Sequence, residues 1–133
     1  DTPGCIVVNS SENEIYQAEK IGIVIEALEF YKESCPSHER KQIIISDILS
    51  LNNGSDEKIS LLTQMKEILR NYTSMSANTK KTLEKLGFDV IEDGKHYKLI
   101  FRNETRIPFI LSKTGSDHRG GLNSFSDLKK LLF

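Results

Sequence analysis

One side chain in this sequence has both the chemistry and the setting for a reactive role. His96 lies in the run Gly94-Lys95-His96-Tyr97-Lys98-Leu99-Ile100-Phe101, where basic and apolar residues are interleaved. An imidazole titrates near neutral pH, so it can move a proton as a general acid or base, or contact a phosphate. The plainer role is a strand histidine that bonds only a neighbour. Lys95, Lys98, Arg102, Arg106, Lys113 and Arg119 could line a phosphate-binding face, whose affinity would fall steeply with salt. A solvated sheet surface would use the same residues. Tyr97 could stack on a base, or lie buried beside Leu99. The segment from Thr114 to Gly121 is Gly-rich, and its backbone N–H groups and Arg119 could cradle a phosphate. It lacks the Lys-Ser/Thr pair of a P-loop. His118, next to Asp117, could assist His96.

Other chemistries find little purchase. No His, Cys, Asp or Glu spacing has the pattern of a metal site, so neither a metal nor a cofactor is expected. There is no Gly-x-Ser-x-Gly elbow and no dinucleotide fingerprint. Two cysteines, Cys5 and Cys35, cannot build a disulfide framework, which suits a reducing compartment. No apolar run approaches the roughly 20 residues that span a bilayer, and no basic-then-apolar leader pattern is visible. The expected setting is cytoplasmic, with no membrane contact. The four Asn-x-Ser/Thr patterns then read as accidents of composition.

Charge divides the chain. Residues 1–73 carry seven Lys/Arg against twelve Asp/Glu, and residues 74–133 carry eleven against seven. An acidic half followed by a basic half suggests that the basic half meets a polyanion. The acidic half could mask the basic one as an inhibitor would, or dock a protein partner.

Periodicity supplies the elements that must position these groups. Helical spacing of Ile15, Ala18, Ile21, Ile25 and Leu28 predicts a helix over 12–34, apolar nearly all round and so the buried helix of its region. Pro36 suits the first turn of a second helix over 37–50, with Ile44, Ile45, Ile48 and Leu51 inward. Ser55 should cap a third helix, with Ile59, Leu62, Met65 and Leu69 as its core stripe. Ser76 should cap a fourth over 77–86, ended by a left-handed Gly87. The period then changes to two. Strands are expected over 88–91, 95–101 and 107–111, the first two joined through Asp93-Gly94. Lys95, Tyr97, Leu99 and Phe101 should share one strand face; His96, Lys98 and Ile100 should share the other. A loop over 112–123 and a last helix over 125–132, capped by the Ser124-x-x-Asp127 pattern, complete the chain. The expected class is α+β: a helical region over 1–73, then an α-β-β-β-α module over 76–133.

That order, with the residues Thr82-Leu-Glu-Lys-Leu-Gly-Phe88, the turn Gly94-Lys95-His96, the strand Pro108-Phe-Ile-Leu111 and the closing helix, resembles the HicA toxin family. The resemblance covers about residues 77–132. It implies a fold similar to the double-stranded-RNA-binding domain. It also implies metal-independent RNA cleavage of the mRNA-interferase kind, with His96 moving a proton as a ribose 2′-hydroxyl attacks the adjacent phosphate. Lys95 stands where the family usually has serine, and the helical residues before the module are an addition to the family's plan. Three functions follow as expectations. The first is a nucleic-acid-binding module, RNA before DNA, in a larger protein or a defence or toxin–antitoxin system. The second is an active ribonuclease. The third is a protein-interaction adaptor that touches no nucleic acid.

Overall fold

The structure is a computed structural model that describes residues 4–34, 39–114 and 118–133, with side chains described outside 118–122. The order is α1 (Glu19–Ser34), α2 (Glu39–Ser50), α3 (Asp56–Arg70), α4 (Ala77–Leu86), β1 (Phe88–Asp93), β2 (His96–Phe101), β3 (Phe109–Ser112) and α5 (His118–Leu132). The class is α+β, with helices preceding a three-stranded antiparallel sheet. The chain divides into two compact units, Asp1–Lys58 and Ile59–Phe133.

In the first unit, α1 starts seven residues later than periodicity predicts. Residues 11–18 form turns that borrow carboxylates: Glu19 accepts from the Ile15 N–H at 2.9 Å, and Glu14 accepts from the Lys20 N–H at 2.8 Å. Ala18, at φ 58, turns the chain into the helix. Contrary to expectation, α1 buries none of its residues, and α2 buries only Ile45. Ile44 and Leu51, both expected inside, are exposed. The apolar residues of α1 spread over more than one side of the helix, and α2, which packs against it, covers only part of them. Ile6, Val7 and Val8 run as an irregular segment. It is tied down by Asn52, a buried amide that accepts from the Ile6 N–H at 2.9 Å and donates to the Ile48 carbonyl at 2.7 Å. Ser55 caps α3 as predicted, accepting from the Lys58 N–H at 3.0 Å.

The second unit holds most of the core. The α3 stripe is Leu61, Met65 and Leu69, stepping four residues at a time, while Ile59 faces solvent. Helix α4 obeys its signals. The Ser76 hydroxyl accepts from the Thr79 N–H, and Gly87 closes the helix at φ 110. An added Cβ at Gly87 would lie 2.9 Å from the Arg102 side chain, so both conformation and space select glycine there. The strands form a meander in sequence order, β1-β2-β3. Phe88, Leu99, Phe101, Phe109 and Leu111 fill the inner face, closed by Leu83 and Leu86 of α4 and Leu128 and Leu132 of α5. Phe101 packs against Phe88 and Phe133 at ring separations of 4.9 and 5.5 Å. The last helix begins at His118, inside the stretch read as loop, so Ser124 lies within the helix and not at its cap.

Candidate nucleic-acid interface

His96 owes its position to the two-residue link Gly94-Lys95, which sets Asp93 directly opposite it on β1. On the other side His96 pairs with Ser112 of β3. Side chains directly across a ladder share a face, with Cβ atoms about 5 Å apart. Asp93, His96 and Ser112 therefore form one row across the outer face of the sheet. The next row on that face is Ile91, Lys98 and Ile110, and beyond it lie Asp89 and Ile100. His96 is exposed, as a reactive or ligand-binding ring must be. Among the described residues, no hydrogen bond or ion pair holds its side chain or that of Lys98.

An Asp-His-Ser row invites comparison with a nucleophilic triad, but the serine is already engaged. Its Oγ donates to the Thr114 carbonyl at 2.9 Å, shaping the chain after β3. Among the described residues Asp93 is the carboxylate directly across the ladder from His96, placed to orient its ring. Neither Asp93 nor Ser112 was singled out from sequence. The signal was the short hairpin itself: once Gly94-Lys95 is the loop, Asp93 must face His96.

The basic residues do not converge on this face. Lys95 projects at the hairpin tip, exposed. Lys113 lies at the same end but toward the inner side. Its N–H donates to the Lys95 carbonyl at 3.1 Å, its Nζ pairs with Glu92 at 3.0 Å, and the Nζ sits 5.5 Å from the Tyr97 ring centre. Tyr97 is thus half-buried under a cation and is not an open stacking platform. Arg102 and Arg106 belong to the opposite end of β2, about 20 Å away at the rise of a strand. Arg102 lies over the Phe101 ring at 4.8 Å, and its N–H donates to the Gly87 carbonyl at 2.8 Å. Arg106 grips Glu104 with two bonds of 2.7 and 2.8 Å, and these hold the Glu104 carboxyl below its usual pKa. His118 and Arg119 are in the first turn of α5, and their side chains lie outside the described residues, as does most of the loop that contained Asp117.

Exposed lysines stand elsewhere. Lys81 and Lys85 sit one turn apart on the outward side of α4, flanked by Lys80, and Lys129 and Lys130 are exposed on α5. Taken by unit, residues 1–58 carry five Lys/Arg against eleven Asp/Glu, a net −6, and residues 59–133 carry thirteen against eight, a net +5. The charge boundary thus falls close to the boundary between the compact units.

A cleft of about 350 Å³ separates the end of α3 from the start of α4, lined by Glu67, Asn71, Tyr72, Ser74, Asn78 and Thr82 among others. The Tyr72 hydroxyl donates to the Ser112 carbonyl, and burial, with Tyr97 nearby, raises its pKa above the usual phenol value. Among the described residues no group of three His, Cys, Asp or Glu could hold a metal, and no helix is long and apolar enough to cross a membrane. No family model, curated protein or solved structure matches this chain.

Proposed function

We propose that the second unit binds nucleic acid, RNA before DNA, through its exposed lysines and not through the outer sheet face. The observation that carries this reading is the segregated charge: a net +5 on residues 59–133, with Lys80, Lys81 and Lys85 on one short helix and Lys95 exposed at the hairpin tip. Lysines on a helix meet phosphates as point charges, giving affinity without base reading. An A-form duplex, recognised by backbone shape and 2′-hydroxyls, is the substrate class this suits. The outer face is a poorer platform, because Asp89 and Asp93 share it with His96 and Lys98.

A mobility-shift titration of the full chain with duplex RNA, single-stranded RNA and duplex DNA at two salt concentrations tests the proposal. Binding to duplex RNA should weaken with salt. Lys81→Glu with Lys85→Glu should weaken it further and reduce the salt slope by about one for each phosphate no longer neutralised. Equal binding by this double variant would remove the assignment.

The adaptor reading has its own support in the Ile91-Lys98-Ile110 row, where both isoleucines are 48% exposed. If no nucleic acid binds at low salt, that face becomes the one to pursue. The ribonuclease reading rests on the exposure of His96 alone. It requires cleavage by the native chain that His96→Ala abolishes while leaving binding intact.

A further inference from the structure

We propose that the outward face of α1 is the seat of a basic amphipathic helix from a protein partner. Ile23, Ala27, Phe30 and Tyr31 follow the i, i+4, i+7, i+8 spacing that makes one continuous stripe along a helix. All four are exposed, Ile23 at 57%, Phe30 at 72% and Tyr31 at 43%. The half-buried Ile21, Val24, Ile25 and Leu28 lie round the axis from them. An apolar stripe ending in an exposed phenylalanine with a tyrosine beside it has the make-up of an interface hot spot.

The charge beside the stripe selects the occupant. Glu19, Glu26 and Glu33 recur every seven residues, and Glu29 extends the same flank. They form an acidic ridge along one border of the stripe. Two of these carboxylates already have partners: Glu19 accepts from the Ile15 N–H, and Glu26 pairs with Lys58 at 2.6 Å. Among the described residues Glu29 and Glu33 have none. They also sit in the C-terminal half of α1, where the helix dipole disfavours negative charge and Lys32 is the basic residue of the last turn. A partner that brings Lys or Arg to this border relieves both defects while covering Phe30. A second copy of this chain does not. Pairing two α1 helices antiparallel sets each acidic ridge against its twin, as matching flanks meet in antiparallel coils.

The test uses the full chain and two designed helical peptides. Both carry Leu at i, i+4 and i+7; one has Lys at the flanking positions and the other Glu. Fluorescence anisotropy should show the Lys peptide binding at least about tenfold more tightly than the Glu peptide. Phe30→Ser should weaken the Lys peptide by a similar factor, with unchanged circular dichroism. The paired change Glu29→Lys and Glu33→Lys should reverse the preference between peptides. Equal binding of the two peptides, binding by neither, or a preference that survives the charge reversal would overturn the proposal. So would sedimentation showing a dimer of the native chain that Phe30→Ser returns to monomer, since a second copy would then be the occupant.

Discussion

The two units use similar apolar residues in opposite ways. The second turns Phe88, Leu99, Phe101, Met65, Leu69, Leu83 and Leu128 wholly inward. The first is at least as rich in isoleucine, yet leaves Ile23, Phe30, Ile43 and Ile44 in solvent and buries Tyr16 and Ile45. The three-stranded sheet gathers its large apolar side chains on one face, and α4 and α5 laid over that face cover them. The apolar residues of α1 occupy more than one side of the helix, and α2 leaves Ile23 and Phe30 uncovered, so the two helices do not complete each other. Hydrophobic content therefore measures the need for burial. Whether a unit meets that need alone depends on how many faces its apolar residues occupy.

The largest expected effect sharpens this contrast. Phe101→Ala or Leu99→Ala should destabilise the chain by about 3–5 kcal/mol in chemical denaturation, because each empties a fully enclosed site. Phe30→Ser should change stability by less than about 0.5 kcal/mol. A core-sized loss at Phe30 would break the comparison. Next comes Gly87→Ala, expected to cost about 1–3 kcal/mol, since the left-handed backbone and the Arg102 side chain both oppose a Cβ.

Tyr16 gives the first unit a pH signature. Burial chiefly, then Glu19, Glu26 and Glu14, push its phenol up to about 12 from 10.0. The unfolded chain thus ionises first as pH rises. The stability held by the neutral phenol is full below pH 10 and is lost as pH climbs toward 12. Denaturation across that window should show a steeper loss in the native chain than in Tyr16→Phe, and equal slopes would place the phenol in solvent. The smallest effect concerns the α4 cap: Ser76→Ala should cost about 1 kcal/mol, with Ser76→Thr retaining most of the cap's contribution.

Where the sequence was readable, the governing forces were local. Ser76 and Gly87 each act within four residues, and α4 appears where they put it; the hairpin forms at Gly94 but its turn falls one residue later than expected, at Gly94-Lys95, with Asp93 already in β1. The faces of β2 followed from alternation alone. The two misplaced helix starts have different causes. At α1, the carboxylates of Glu14 and Glu19 stabilise turns where apolar spacing continued the helix. At α5, the polar, Gly-rich stretch 112–123 reads as a loop, but glycine costs only about 1 kcal/mol in a helix, which the buried Leu128 and Leu132 offset. The candidate site was half legible. That His96 and Lys98 share a face needed only period two. That Asp93 stands beside them, and that Arg102 and Arg106 stand far off, needed the register.

The bond from the Arg102 N–H to the Gly87 carbonyl ties the end of α4 to the far end of β2. It joins stretches that follow one another closely in the chain, so little loop entropy opposes it. Refolding should therefore begin with α4, β1 and β2 as one nucleus, with β3 and α5 added afterwards. Kinetic φ-values should be high for Leu83→Ala and low for Leu128→Ala.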